Sequence, residues 1–182
     1  MMDEIKRIGR RLVAKGTVID YYRDTMELPD GKQVEWDLVD HKGAAAVVPV
    51  LDDGRIIMVR QYRNALERET IEIPAGGLNT REEPTDQAAL RELSEETGFT
   101  AGHLEKLLSI RTTVAFCNER IDIYLATDLK KGDKHPDEDE YIDYETYTID
   151  ELLEKIRTFE IQDSKTICAL LAYANRLSDA QK

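Results

Sequence analysis

A chain of 182 residues can build one well-buried core and has little room for two. With 41% apolar and 34% charged residues it has a globular composition, which excludes a fibre or a disordered tail. Its 25 Lys and Arg stand against 37 Asp and Glu, a net charge of −12, so it is a poor general binder of nucleic acid or anionic membrane, and an anionic substrate would have to be met through a recruited cation.

The first seven residues mix charges and lack the apolar core of a signal peptide. Residues 18–28 are β-rich and partly alternating. Pro29-Asp30-Gly31 then signals a turn, because proline presets φ and glycine accepts positive φ. Residues 33–39 read as the returning strand of a hairpin. The longest apolar run lies within residues 43–51, too short to span a bilayer, and residues 44–51 fit a strand buried on both faces. Asp52-Asp53-Gly54 turns the chain into a third β-rich run at 55–62. Residues 70–73 alternate until Pro74-Ala75-Gly76-Gly77 breaks them.

The period then changes. Pro84 suits a first helical turn, Ala89, Leu90, Leu93 and Thr97 recur at helical spacing, and Gly98 stands where a C-cap glycine belongs. Strand character returns at 104–113 and 121–127, residues 130–139 read as a polar loop, and 141–148 alternate again. Helices are predicted over 150–158 and 165–177, capped by Asp150 and by Asp163 or Ser164. The outcome is a mixed α/β domain with an N-terminal β arm over residues 1–42 and the main domain over 43–182. Cys117 and Cys168 have no ligand-like neighbours and read as free thiols of a reducing compartment, so a cytoplasmic location is expected. His41, His103 and His135 are scattered and form no zinc spacing.

The chemistry gathers on the helix that ends at Gly98. Glu92, Glu95 and Glu96 fall within about 100° of arc, and Arg91 is four residues from Glu95. Three carboxylates on one stripe repel one another. A solvated acidic face is one explanation; a set of hard oxygen ligands for Mg²⁺ or Mn²⁺ is the other.

Gly77, then Glu83, then Arg91-Glu92-Leu93-x-Glu95-Glu96-x-Gly98-Phe99 matches the full spacing of the Nudix box, a coincidence expected on the order of 10⁻⁹ times per starting position at ordinary residue usage. Gly76 precedes Gly77, and the family often begins its box at the first glycine of such a pair, in which case the loop here carries one extra residue. The hairpin turning at residues 28–32, Ile57-Met58-Val59-Arg60-Gln61-Tyr62-Arg63, and Ile71-Glu72-Ile73-Pro74-Ala75-Gly76 resemble the ADP-ribose pyrophosphatase branch of the Nudix hydrolases.

That resemblance implies a Nudix α/β/α sandwich with a mixed sheet and an N-terminal antiparallel β arm. It also implies a homodimer whose active sites share residues. The implied reaction is Mg²⁺-dependent hydrolysis of ADP-ribose to AMP and ribose 5-phosphate, or of a related ADP-sugar, with Mn²⁺ as a substitute metal. By the same resemblance Glu92, Glu95, Glu96 and the backbone carbonyl of Ala75 are metal ligands, and Arg91 orients Glu95. Glu83 supports the site or lies on a solvated surface. Glu138 or Glu140 is the base, and the other, Glu140 by the metal-ligand reading, assists the metal; a loop that closes over substrate is a suitable carrier. Trp36 either stacks on adenine or belongs to a core. Asp37 would accept from the adenine amino group, Arg63 would meet the phosphates with its fork of donors or else pair with a surface acid, and Tyr21 or Tyr22 could supply a second aromatic.

The family's proline in a Ser-Pro-Gly context after the box is absent here, where the chain reads Thr112-Thr113-Val114-Ala115-Phe116-Cys117-Asn118-Glu119. This weakens the assignment of ADP-ribose in particular. It keeps open a pyrophosphatase for another sugar nucleotide such as GDP-mannose and, in a different class, a nucleotide sensor without catalysis. Glu119 reads as a surface acid. The intact glutamates argue against the sensor.

Overall fold

The computed structural model describes residues 4–132 and 143–180. They divide into two compact units, one running up to residue 43 together with 111–120, the other taking 44–110 and the described residues from 121 onward.

The first unit is a three-stranded antiparallel sheet of β1 (Lys6–Lys15), β2 (Ile19–Glu27) and β3 (Gln33–His41). The β2–β3 hairpin closes as its sequence predicts: Gly31 sits at φ 81°, its N–H donates to Leu28 O at 2.9 Å, and the Asp30 carboxylate accepts from Lys32 N at 3.0 Å. The periodicity places the first strand at residue 18 and passes over β1. That strand is exposed at every position but Gly9, so no face of it alternates between core and water, and pairing with β2 alone defines it. Residues 111–120 join this unit through β3: Val39 N–H donates to Phe116 O at 2.7 Å, and the Asn118 side chain accepts from His41 N at 2.8 Å.

The second unit holds two sheets. One has the order β7-β4-β9-β8, from β4 (Ala44–Pro49), β7 (Ala75–Gly77), β8 (Phe99–Arg111) and β9 (Arg120–Lys131). The other has the order β10-β5-β6, from β5 (Ile56–Arg63), β6 (Arg68–Glu72) and β10 (Asp143–Tyr147). β4 runs parallel to β9 and antiparallel to β7, so the first sheet is mixed. Alternation sorts the side chains into two cores. Ala44, Ala46 and Val48, with Ile121, Ile123, Leu125, Ile56 and Met58, pack among Leu152, Ala169 and Leu170 of α2 (Ile149–Arg157) and α3 (Ser164–Ala180). Ala45, Val47, Ile57, Tyr124 and Ala126 pack among Ala88, Ala89 and Leu93 of α1 (Thr85–Thr97). Helices on both faces make the α/β/α sandwich, and they explain why β4 is a continuous apolar run.

The ends of the elements carry three corrections. Thr148, not Asp150, caps α2: its hydroxyl accepts from Glu151 N while Glu151 accepts from Thr148 N, a reciprocal capping box that the sequence Thr-x-x-Glu spells. β9 extends to Lys131 into the stretch expected to be loop. Pro84 stands one residue ahead of α1, with ψ 126°, rather than within its first turn. Asp163 caps α3, accepting from Thr166 N at 3.0 Å.

Candidate active site

Helix α1 is fixed at both ends. At its start the Thr85 hydroxyl donates to buried Asp122 on β9 (2.9 Å), which also accepts from Ser109 on β8 (2.7 Å) and lies 2.9 Å from Lys106 Nζ. Burial pushes the Asp122 carboxyl up, but the hydrogen bonds from Ser109, Lys106 and Thr85 outweigh it and hold its pKa below the ordinary value. At its end Gly98 takes φ 76°, donates to Ser94 O and terminates the helix. The apolar face, with Leu93 fully buried, then fixes which way the opposite stripe points.

Glu92 and Glu96 on that stripe are buried, at 8% and 2% exposure, which rules out the solvated acidic face. Glu96 accepts from Ala75 N at 3.1 Å, tying α1 to β7. A methyl group on Gly76 would overlap the Glu92 carboxylate, whereas one on Gly77 would meet nothing within 4 Å. Gly76 is therefore the glycine that the Glu92 carboxylate approaches closely, which fits a box that begins there with one extra residue in its loop. Gly77 contributes its carbonyl, which accepts from Arg91 Nη2 at 3.1 Å.

Arg91 joins three carboxylates: Nη1 donates to Glu92 at 2.6 Å and to Glu95 at 3.0 Å, and Nε lies 3.4 Å from Glu83. Burial works against its charge, but Glu92 and Glu95 outweigh it and raise its pKa. Glu83 in turn accepts from Asn79 N at 2.5 Å, so it buttresses the loop and Arg91 and is not a loose surface acid. Among the described residues no three His, Cys, Asp or Glu side chains already converge as a metal site. The donor chemistry nevertheless suits a hard cation: carboxylates held beside a backbone loop, with no thiolate or imidazole. Glu138 and Glu140 lie outside the described residues.

Arg63, on β5, grips Glu72 of β6 with Nε (2.8 Å) and Nη2 (2.6 Å). Glu72 is 2% exposed, is also bonded by Lys165 Nζ, and accepts from the Thr70 hydroxyl at 2.6 Å. Asp163 lies 3.0 Å from the same Lys165 nitrogen. Burial pushes the Glu72 carboxyl up, yet the Arg63 hydrogen bonds and the Lys165 charge win and hold it at about 2. The partner of Arg63 is thus a buried acid instead of a surface one. The sequence reading missed Glu72 and Lys165; the signal available was an acid between two isoleucines of a strand, Ile71-Glu72-Ile73.

In the first unit Trp36 is 47% exposed, so it is not core. Asp37 accepts from Tyr21 OH at 2.6 Å and lies 3.5 Å from Arg23 Nε. Tyr22 lies under the Arg10 guanidinium. Glu119 accepts from the Thr112 hydroxyl at 2.8 Å, within its own loop. Cys117 and Cys168 are free thiols. Among the described residues no helix is long and apolar enough to cross a membrane.

The pattern of the NUDIX domain family matches residues 40–170. An ADP-ribose pyrophosphatase of Bacillus subtilis is 41% identical over 92% of this chain and 91% of its own length. A methanol dehydrogenase activator of Bacillus methanolicus is 40% identical over the same shares. A crystal structure titled ADP compounds hydrolase superposes with a TM-score of 0.87 over 99% of this chain and 97% of its own, at 20% identity, which speaks for the fold alone. With its box folded around Gly76, Arg91 and the α1 glutamates, the chain belongs to the Nudix family.

Proposed function

We propose that this protein hydrolyses the diphosphate bond of ADP-ribose or a related ADP-sugar, releasing AMP and a sugar phosphate. The observation that carries this reading is the buried acid stripe of α1, with Glu96 hydrogen-bonded to Ala75 N and Glu92 lying against Gly76. The relative named ADP-ribose pyrophosphatase supports the choice of substrate.

Glu92, Glu95, Glu96 and the Ala75 carbonyl would hold Mg²⁺, with Mn²⁺ able to replace it. Bound metal reverses the sign of an acidic site, screens the diphosphate and lowers the pKa of an attacking water. The chain's own part is to aim and to hold. Arg91 fixes the direction of Glu95 and restrains Glu92. Glu83 holds Arg91 and the loop at Asn79. Arg63 offers N–H groups to the phosphates, and Glu138 or Glu140 takes the proton from water. Trp36 stacks on the adenine and Asp37 accepts from its amino group. The working form is a cytoplasmic homodimer in which the N-terminal arm, residues 1–42, helps complete the partner's site.

The test is incubation with Mg²⁺ and ADP-ribose, ADP-glucose, GDP-mannose, NADH and diadenosine polyphosphates, with separation of the products. AMP from ADP-ribose well ahead of the others is the expected result. GDP-mannose in the lead would keep the chemistry and move the substrate; binding of nucleotide with no turnover would replace the enzyme by a sensor. The relative named methanol dehydrogenase activator favours a second role, stimulation of a dehydrogenase. That role is tested by adding wild type or Glu96→Gln protein to a methanol dehydrogenase assay.

A further inference from the structure

Arg63 and Glu72 make an asymmetric pair. The arginine side chain is 39% exposed and its partner 2%. A guanidinium carries five N–H groups, and here Nε and one hydrogen of Nη2 go to the two oxygens of Glu72. Among the described residues the Arg63 side chain makes no other hydrogen bond, so both hydrogens of Nη1 and the second hydrogen of Nη2 are left on its outer edge. That edge is itself a fork of the kind that suits a phosphate.

Glu72 is in turn immobilised. Lys165 Nζ, on the first turn of α3, bonds Glu72 and Asp163 together, and the Thr70 hydroxyl bonds the oxygen that receives Arg63 Nε. Two carboxylates and two cations balance, which is what allows Glu72 and Lys165 at its centre to be buried. Lone arginines have many rotamers, and ordering one on binding costs affinity; an arginine already clamped on one edge has lost that freedom in advance.

We propose that Glu72 is a positioning residue for substrate binding: from its buried seat between Lys165 and Thr70 it clamps the Nε–Nη2 edge of Arg63 and so presents the Nη1 edge to a diphosphate. This rests on the reading of Arg63 as the phosphate contact. Lys165 and Thr70 serve at one remove, by holding Glu72.

The test is a double-mutant cycle of Arg63→Ala and Glu72→Gln, read as kcat and KM for ADP-ribose with Mg²⁺ and as Kd for ADP by calorimetry. Glu72→Gln is expected to raise KM and Kd about tenfold while kcat changes less than about threefold. Added to Arg63→Ala, it is expected to change either by less than about twofold, because its route to the substrate is already gone. If Glu72→Gln leaves too little negative charge around Lys165 for folding, Glu72→Gln/Lys165→Met removes the cation as well and carries the same expectation. Independent, multiplicative effects of the two substitutions, or an unchanged Kd in Glu72→Gln, would overturn the proposal. Wild type that binds ADP through Arg63 but leaves ADP-ribose intact would sink the proposed reaction and keep the anchor. Rapid hydrolysis that Arg63→Ala does not alter would keep the reaction and sink the anchor. Neither binding nor hydrolysis would overturn both.

Discussion

Two partly buried charge clusters in the same unit are built on opposite principles. Around α1 the Arg91 guanidinium is shared by the carboxylates of Glu83, Glu92 and Glu95, with Glu96 one turn on from Glu92. Around α3 the Glu72 and Asp163 carboxylates are matched by Arg63 and Lys165. A balanced cluster satisfies itself, and removing one member strands another in a dry place. An acid-rich cluster stores repulsion that a bound cation relieves. The balanced design suits a fixed support and the acid-rich one a site that awaits something, so substitutions in the two should fail in different ways.

The largest effect is expected from Glu96→Gln. Turnover should fall by at least about 10²-fold through loss of a proposed metal ligand. The melting temperature should hold or rise, because the amide oxygen can still accept from Ala75 N and one negative charge has gone. A melting temperature that drops with activity would place Glu96 with the structural acids and erase the contrast.

Gly76→Ala comes next. Its new methyl group must push the Glu92 carboxylate or the loop aside, and a displacement of about 1 Å in a catalytic group costs on the order of 10²-fold in rate. Gly77→Ala meets no obstacle and should cost less than about threefold. Kinetics of the two variants side by side would show which glycine begins the box; equal losses would return that role to Gly77.

Glu72→Gln should destabilise the fold by about 3–5 kcal/mol, as broken buried ion pairs do, and chemical denaturation would measure it. The same residue sets an acid limb. Its carboxyl titrates at about 2 in the folded protein against an ordinary 4.5. The stability it supplies is therefore complete above about pH 4.5 and is lost as pH falls toward about 2, where the folded state too becomes protonated. Denaturation curves between those values should be flatter in Glu72→Gln than in wild type. An unchanged slope would mean that other carboxyls govern acid unfolding.

The smallest effect is expected from Cys117→Ser and Cys168→Ser. Both are free thiols, and both variants should retain activity and lie within about 0.5–1 kcal/mol of wild type. A large loss of turnover in a folded variant would reveal a thiol role.

Much of this was legible in the chain itself. The turn at Gly31, the buried run 44–51, the C-cap at Gly98 and the helix bearing the glutamates follow from local rules: positive φ, two-sided burial and helical period. The spacing of Arg-Glu and Glu-Glu was enough to place the acids on one stripe of α1, because an α-helix converts spacing into direction. What local rules do not carry is pairing over long separations. β1 has no alternation to announce it and exists through β2. The partner of Arg63 is nine residues away, and the lysine that holds that partner ninety-three residues beyond it; the Asp122 network draws Thr85 from α1 and Lys106 and Ser109 from β8. The sequence by itself determined which helix carries the acids and where it ends. Only the tertiary structure decided that Gly76 is the glycine against Glu92 and that Arg63 is clamped from behind, because a buried charge is placed by whatever the fold sets beside it and not by its neighbours in the chain.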